Sequence, residues 1–211
     1  MSFKLHTLNA LHSTGALLII RTPDADSAYQ VARAAIEGGI RCLEIPFGVP
    51  GALQAIEKIA TEYGDQGVYV GAGTVLDAQS AYAAVNAGSS LLVSPNVNDG
   101  VLEIAQRYQV VSMPGAFTPT EIQTALEKGA DVVKLFPAEL HGPKYLKSLR
   151  TPLEHAPIAP TGGVDLDTVG DWFDAGAFSV GVSSYICKAG SAEAITANAA
   201  SLLQKIADVR S

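Results

Sequence analysis

The sequence lacks the features that mark nucleic-acid-binding, secreted or membrane-spanning proteins. Its 211 residues contain 14 Lys and Arg against 21 Asp and Glu, a formal net charge of −7. An acidic chain without a basic run is a poor match for a nucleic-acid backbone or an anionic membrane. The longest early apolar run, Ala16 to Ile20, ends at Arg21. A membrane-spanning helix needs about 20 apolar residues and a signal-peptide core about 7. We therefore expect a cytoplasmic protein.

Cysteine and the usual metal-binding patterns are also scarce. Cys42 and Cys187 lie far apart, with no second ligand at metal-binding spacing. We interpret them as buried reduced thiols, with a disulfide or a reactive cysteine as the alternatives. The four histidines show no H-x-x-H or H-E-x-x-H spacing, so metal catalysis is not expected. A G-x-G-x-x-G dinucleotide fingerprint after the first predicted strand is missing too.

Short apolar runs alternate regularly with longer stretches of helical period, in a chain that is 48% hydrophobic. The predicted strands are Ala16–Arg21, Cys42–Phe47, Tyr69–Ala72, Leu91–Ser94, Val110–Met113, Val132–Leu135, Ile158–Pro160 and Phe178–Val182. The predicted helices are Ala25–Glu37, Ala52–Tyr63, Asp77–Ala87, Asp99–Tyr108, Pro119–Lys128, Pro143–Leu149, Leu166–Ala175 and Ala192–Val209. Strict alternation implies parallel strands, and eight of each favour the α/β class and a closed (β/α)8 TIM barrel. No linker interrupts the pattern, so we expect one domain over residues 1–211.

A repeated register links four of the units. Helices end at a glycine that suits a left-handed cap, and the fifth residue after it lies in the next strand. The glycines are Gly39, Gly88, Gly129 and Gly176, and the strand positions are Glu44, Val93, Lys134 and Gly181. Alternate strands of a barrel contribute side chains to the same layer. We therefore expect Glu44 and Lys134 to meet near the carboxyl-terminal mouth.

Lys134 and Glu44 are charged residues within otherwise apolar strands. Loss of hydration lowers the pKa of a buried ammonium, and a neutral amine can attack a ketone to form a Schiff base. A nearby carboxyl group can move the protons that this reaction needs. An inert structural Lys–Glu pair is the alternative, which spacing alone does not exclude.

Further polar and small residues follow the predicted strands at the same mouth. Two glycine-rich loops occupy the usual phosphate position of a barrel, after strands seven and eight, although tight turns would need glycines as well. The predicted phosphate-binding residues are Thr161, Gly162, Gly163, Gly181, Ser183 and Ser184. The predicted substrate contacts are Arg21, Thr74, Pro95 and Phe136. Their alternatives are a surface salt bridge for Arg21, turn or capping duty for Thr74, and packing for Phe136.

Six sequence blocks together resemble one enzyme family. The blocks are Leu43–Pro46, Val70–Leu76, Ser94-Pro95, Met113–Gly115, Lys134–Glu139 and Pro160–Val164. They resemble the 2-keto-3-deoxy-6-phosphogluconate (KDPG) / 4-hydroxy-2-oxoglutarate (KHG) aldolases, in order from about Arg21 to Ser184. The resemblance implies a class I lyase on a (β/α)8 barrel, with a covalent Schiff base and neither metal nor organic cofactor. It also implies a small phosphorylated keto acid as the substrate, a homotrimer, and a role in carbohydrate metabolism such as the Entner–Doudoroff pathway.

The same resemblance implies roles for individual residues. Lys134 matches the imine-forming lysine, Glu44 the general acid/base, and Thr74 a residue near the pyruvate-derived portion. Phe136 matches the aromatic residue beside the imine, while Gly162 and Gly163 fall in the phosphate loop. The match does not decide whether Ser183 or Ser184 corresponds to the serine of that phosphate site.

One departure concerns an arginine that many phosphogluconate-type members carry shortly after the glutamate. Here Phe47 and Gly48 occupy that stretch, and the E-I-P form is closer to the phosphogalactonate branch. Arg21 is the candidate replacement for the anion contact. The expected reaction is reversible cleavage of KDPG, or a close analogue, to pyruvate and D-glyceraldehyde 3-phosphate. The alternatives are a 2-keto-3-deoxy-6-phosphogalactonate or KHG aldolase, an isomerase or synthase acting on a phosphorylated metabolite, and a non-catalytic phospholigand-binding barrel.

Overall fold

Parallel strands form the centre of the molecule, in a computed structural model that describes residues 3–211. The strands are β1 (Ala16–Ile19), β2 (Cys42–Pro46), β3 (Tyr69–Gly73), β4 (Leu91–Val93), β5 (Val111–Met113), β6 (Gly115–Ala116), β7 (Val133–Leu135), β8 (Ile158–Pro160) and β9 (Val180–Val182). One sheet has the order β5-β4-β3-β2-β1-β9 and a second has the order β6-β7-β8. The α/β class with parallel strands agrees with the sequence prediction.

Helices connect the strands and cover them. They are α1 (Phe3–Thr14), α2 (Ala25–Glu37), α3 (Ala52–Tyr63), α4 (Ala78–Asn86), α5 (Asp99–Tyr108), α6 (Pro119–Glu127), α7 (Gly142–Arg150), α8 (Val169–Asp174), α9 (Ser184–Cys187) and α10 (Ala192–Arg210). Short 3-10 helices cover Gly64–Gln66 and Ala138–Leu140. Over the described residues, no helix combines the length and the apolar character that crossing a membrane requires.

Side-chain caps fix where several helices begin. Asp24 accepts a hydrogen bond from the Ser27 amide at 2.7 Å, and Asp77 accepts one from the Ser80 amide at 2.6 Å. Thr118 and Glu121 form a reciprocal capping box at the start of α6. Each cap satisfies an amide that the first helical turn leaves without a backbone partner.

The predicted glycine register is present in the backbone. Helices α2, α4, α6 and α8 are each followed by a glycine with a positive φ angle. These glycines are Gly39 (101°), Gly88 (93°), Gly129 (87°) and Gly176 (93°). A side chain is strained in that conformation, whereas glycine adopts it freely. The chain therefore leaves each of these helices in the same way before entering the next strand.

The strands are buried on both faces, and their two faces belong to different cores. The larger core lies between strands and helices and includes Leu43, Ile45, Val133 and Leu135. A second, smaller core on the other face contains residues such as Leu17, Cys42, Val93 and Val132, closed off by Leu11 of α1. Side chains alternate across a strand. Glu44 and Lys134 therefore both project from the face of the smaller core, as the register predicts.

The observed elements differ from the predicted ones mainly in one strand and three helices. The predicted fifth strand ends at Met113, but pairing resumes at Gly115 beyond Pro114, which has no N–H to donate. The predicted helix Leu166–Ala175 is shorter, because Asp165 and Thr168 form a hydrogen-bonded turn before α8 begins. Helices α1 and α9 were not predicted. Cys42 and Cys187 are free thiols, as predicted, although Cys187 is only partly buried.

Candidate active site

A pocket of about 550 Å³ opens where β1, β7, β8 and β9 end. Parallel strands present their carboxyl ends at one edge, and ligand sites of α/β proteins form there. The predicted site residues that line this pocket are Arg21, Lys134, Phe136, Thr161, Gly162, Gly163, Gly181, Ser183 and Ser184. Glu44, Thr74 and Pro95 are not among the lining residues.

Lys134 lies in β7 with only 5% of its surface exposed. Its backbone amide donates to the Pro114 carbonyl at 2.9 Å, which fixes the strand beside β6. Its Nζ atom is 4.9 Å from the centroid of the Phe136 ring. Burial lowers the pKa of the Lys134 amine; the nearby Glu44 opposes this shift and Arg21 adds to it. The environment therefore favours the neutral, nucleophilic form of the amine.

Glu44 lies in β2 and is 1% exposed. A Cβ atom added at Gly73 would lie 1.3 Å from its Oε2 atom, so the carboxyl group occupies space that only glycine at position 73 leaves free. Among the residues that the structure describes, none forms a hydrogen bond with the buried Oε2 atom. Burial raises the pKa of Glu44, while Lys134 and Arg21 oppose the shift.

Lys134 and Glu44 are electrostatically coupled without forming a closed ion pair. Each contributes to the pKa of the other, yet within residues 3–211 no ion pair of 4.0 Å or less joins them. A structural Lys–Glu pair would hold the two charges in contact. Burial shifts both groups toward their neutral forms, by lowering the pKa of the Lys134 amine and raising the pKa of the Glu44 carboxyl group.

Arg21 follows β1 at the rim of the pocket and is exposed. Its positive charge adds to the lowering of the pKa of Lys134 and opposes the rise in the pKa of Glu44. None of the hydrogen bonds or ion pairs among the described residues involves its guanidinium group. The guanidinium is thus available to an anionic ligand.

Two consecutive glycines shape the loop that follows β8. Gly162 and Gly163 have φ angles of +109° and +68°, and both line the pocket. A turn built from glycines has no Cβ atoms, so an anion can approach its backbone N–H groups closely. Beside them, the buried Oγ1 atom of Thr161 has no hydrogen-bond partner within residues 3–211, and it lies 2.3 Å from where a Cβ on Gly181 would be. Glycine at position 181 therefore makes room for the threonine hydroxyl.

The two serines after β9 differ in what their hydroxyl groups do. The Ser183 hydroxyl donates to the Ile19 carbonyl at 2.8 Å. Ser184 is the first residue of α9 and is exposed in the pocket. No hydrogen bond within the described part of the chain occupies the Ser184 hydroxyl. Between the two, Ser184 has the hydroxyl that can donate to a ligand.

Thr74 and Pro95 lie outside the pocket lining. Thr74 is partly buried and has a φ angle of +56°, which is strained for a threonine and typical of functional sites. Pro95 packs against Gly115, where an added Cβ would lie 2.3 Å from the proline carbonyl oxygen. Gly115 is paired with Lys134 across the strands, so Pro95 borders the lysine strand indirectly.

Three polar residues that line the pocket were not among the predicted site residues. Glu139, Asp165 and Tyr185 all border the glycine-rich end of the pocket. Glu139 ends the Lys134–Glu139 block, so its position in that block was the available signal. Asp165 and Tyr185 carry no motif that distinguishes them from surface residues. Across residues 3–211 no group of three or more His, Cys, Asp or Glu side chains is arranged to hold a metal ion.

Sequence comparison matches residues 8–203 to the family described as "KDPG and KHG aldolase". The 2-dehydro-3-deoxy-6-phosphogalactonate aldolase of Escherichia coli (strain K12) is 35% identical over 190 residues, 90% of this chain and 92% of the relative. The 2-dehydro-3-deoxy-phosphogluconate aldolase of Treponema pallidum (strain Nichols) is 38% identical over 164 residues, 77% of each chain.

Solved structures of the same kind share the fold. A structure described as "Native KDPGal structure" superposes with a TM-score of 0.86 at 34% identity, covering 92% of this chain and 95% of the other. The 2-keto-3-deoxy-6-phosphogluconate aldolase of Zymomonas mobilis ZM4, solved with 3-phosphoglycerate, gives a TM-score of 0.84 at 29% identity over 93% and 94% of the two chains.

Proposed function

We propose a substrate and a mechanism for this chain, which belongs to the KDPG and KHG aldolase family. It is a lyase of the aldolase type, and we infer that it is a class I enzyme. The proposed reaction is reversible cleavage of 2-keto-3-deoxy-6-phosphogluconate, or a close analogue, to pyruvate and D-glyceraldehyde 3-phosphate. The observation that carries the proposal is the buried Lys134 amine at the base of a pocket whose other end is a glycine-rich loop.

The two sheets are proposed to form one closed (β/α)8 barrel in a single domain. Thr161, after β8, forms a parallel bridge with Gly181 of β9, which supports closure between the sheets on one side. On the other side, β5 and β6 are separated only by Pro114 and are interpreted as one interrupted strand. When β5 and β6 are counted as one strand, the total is eight, the number in the predicted barrel.

The reaction begins at the lysine amine. Neutral Lys134 attacks the C2 ketone of the substrate and forms a carbinolamine, and loss of water gives a protonated imine. Lowering of the amine pKa by burial supports this role, because only the unprotonated form has the lone pair that attacks. The Phe136 ring borders the amine and limits access of water to the imine.

Bond cleavage then uses the imine as an electron acceptor. Glu44, ionised at this step, removes the C4 hydroxyl proton, the C3–C4 bond breaks, and its electron pair forms an enamine on the lysine while the aldehyde is released. Protonated Glu44 returns a proton to C3, and hydrolysis of the imine releases pyruvate and the free amine. A raised pKa suits Glu44 to both roles, since a group that alternates between base and acid needs both forms accessible.

The remaining polar groups are assigned to substrate binding. Arg21 is proposed to contact an anionic group of the substrate, in place of the arginine missing after Glu44. Backbone N–H groups of the Gly162–Gly163 loop, with the Ser184 hydroxyl, are proposed to bind the distal phosphate. Thr74 remains a predicted contact near the pyruvate-derived portion, and Pro95 remains a predicted substrate contact. The homotrimer, the cytoplasmic location and the pathway also remain predictions.

Borohydride trapping with pyruvate tests the mechanism directly. The wild-type protein should gain the mass of a reduced pyruvate adduct, located on Lys134 by peptide mapping. Lys134→Ala should gain none, whereas Lys147→Ala, which removes an exposed lysine of α7, should be labelled like wild type. Glu44→Gln should still be labelled slowly, with turnover lower by roughly 10²–10⁴. A label on another residue, or normal cleavage by Lys134→Ala, contradicts the mechanism.

The phosphogalactonate substrate is the second candidate. It is favoured by the 35% identity with the Escherichia coli 2-dehydro-3-deoxy-6-phosphogalactonate aldolase over 90% of this chain. The two phosphorylated acids differ in configuration at C4. Cleavage of both epimers by one preparation, compared as kcat/KM, decides between them, and KHG tested alongside shows whether the phosphate is needed.

A further inference from the structure

The proposed phosphate end of the pocket already contains a carboxylate. Glu139 is exposed, lines the pocket and packs directly against the glycine-rich loop. A Cβ on Gly162 would lie 1.5 Å from the Glu139 Oε2 atom, and a Cβ on Gly163 would lie 2.9 Å from the Glu139 Cβ. The glutamate therefore occupies the space that the two glycines leave open.

Backbone hydrogen bonds hold the glutamate segment and the loop together. The Ala138 amide donates to the Thr161 carbonyl at 2.9 Å, and the Thr161 amide donates to the Leu135 carbonyl at 3.0 Å. The glutamate thus extends from a short 3-10 helix that is fixed to the base of the loop. Its position next to the loop is a consequence of strand pairing between β7 and β8 and does not depend on a ligand.

The Glu139 carboxylate is not neutralised by a protein partner. No hydrogen bond or ion pair engages it in the part of the chain that the structure describes, and Asp165 adds a second acidic group at the same end of the pocket. The cationic residues that line the pocket are Arg21 and Lys134, and burial shifts the latter toward its neutral form. A phosphate that enters this end therefore meets a negative charge beside the N–H groups that would bind it.

We propose that Glu139 is an internal anion that competes with the distal phosphate of the substrate for the Gly162–Gly163 loop and weakens the binding of that phosphate. The inference rests on the proposed function, since it assumes that the loop binds phosphate. Glu139 is thereby a specificity-determining residue. It limits the affinity of the pocket for the phosphorylated end of the substrate, so that the three-carbon phosphate product is not retained after cleavage.

Inorganic phosphate is the probe, with its dissociation constant measured by calorimetry at fixed ionic strength. Glu139→Gln keeps the size of the side chain and its packing on the loop but removes the charge. Two like unit charges about 5 Å apart repel each other. Where the effective dielectric constant lies between that of water and that of a protein surface, this repulsion changes a binding constant about 4- to 20-fold. We expect Glu139→Gln to bind phosphate more tightly by that factor, with the gain shrinking at high salt.

Glu154→Gln is the matched control, because Glu154 is exposed and does not line the pocket. It removes the same charge and should leave the dissociation constant within about twofold of wild type. Equal or weaker phosphate binding by Glu139→Gln, an equal gain in the control, or no measurable binding by either wild type or Glu139→Gln overturns the inference. Pyruvate trapping on Lys134 uses no phosphate, so failure here is distinguishable from failure of the aldolase mechanism.

Discussion

Replacing Gly73 by alanine tests whether the backbone of β3 positions the carboxyl group of Glu44, the proposed acid/base. The new Cβ atom would lie 1.3 Å from Oε2 of Glu44 and 2.4 Å from its Cδ. Ordinary van der Waals contact begins at 3.4 Å, so the carboxyl group must move by about 2 Å. Displacing a reacting group by 1 Å can lower a rate by about 10²-fold. We expect turnover to fall by roughly 10²–10⁴, close to the effect of losing the acid/base altogether.

The assay combines turnover with pyruvate trapping. Gly73→Ala should retain borohydride labelling on Lys134, because the lysine is on a different strand, while aldol cleavage is largely lost. Gly64→Ala is the matched control, since a Cβ there would contact nothing within 4 Å. It should keep normal turnover.

A double-mutant cycle separates positioning from general damage to the fold. Glu44→Ala removes the side chain with which the new Cβ would collide. Adding Gly73→Ala to that background should therefore cause little further loss of turnover or of melting temperature. Wild-type turnover in Gly73→Ala alone, or fully additive losses in the double variant, would refute the argument.

Two other predictions concern stability. The folded-state pKa of Lys134 lies below its ordinary value of 10.5, so between the two values the unfolded chain binds more protons and stability rises with pH. Lys134→Met, which cannot titrate, should therefore gain more over wild type at lower pH, and in urea unfolding the gain should shrink as the pH rises toward 10.5; a gain that grows with pH would contradict this. Leu11 of α1 is fully buried in the smaller core. Changing it to alanine should lower the free energy of unfolding by about 2–5 kcal/mol. Leu5→Ala on the same helix, 43% exposed, should change it by well under half as much, and equal losses would show that α1 does not close that core.

The sequence predicted the parallel α/β arrangement because its signals are local. A glycine that must take a positive φ angle and a charged residue inside an apolar strand can each be recognised without knowing what lies nearby. Counting from Gly39 and Gly129 to Glu44 and Lys134 was enough to predict that the two side chains share a face of the strands. The interruption at Pro114 was also readable in principle, since proline cannot donate to a neighbouring strand.

Features that depend on tertiary contact were not predictable in the same way. The apolar side chains of α1 form no broad stripe: Leu11 is buried while Leu5 is exposed, and its burial exists only once the strands are assembled. The proximity of Glu139 to Gly162 follows from pairing between β7 and β8. The difference between Ser183 and Ser184 likewise depends on a carbonyl of Ile19, more than 160 positions earlier in the sequence.

Helix α1 lies against the end of the strands opposite to the pocket, with Leu11 packed among the side chains of the smaller core. With that end covered by α1, both products leave through the pocket opening. Under the proposed mechanism, the pyruvate-derived fragment is still attached to Lys134 when the aldehyde is already free. The aldehyde must consequently leave before the keto acid. Steady-state kinetics should follow an ordered scheme. Added pyruvate should compete with the intact sugar acid for the unmodified enzyme. The aldehyde should bind only to the enzyme that carries the three-carbon adduct on Lys134.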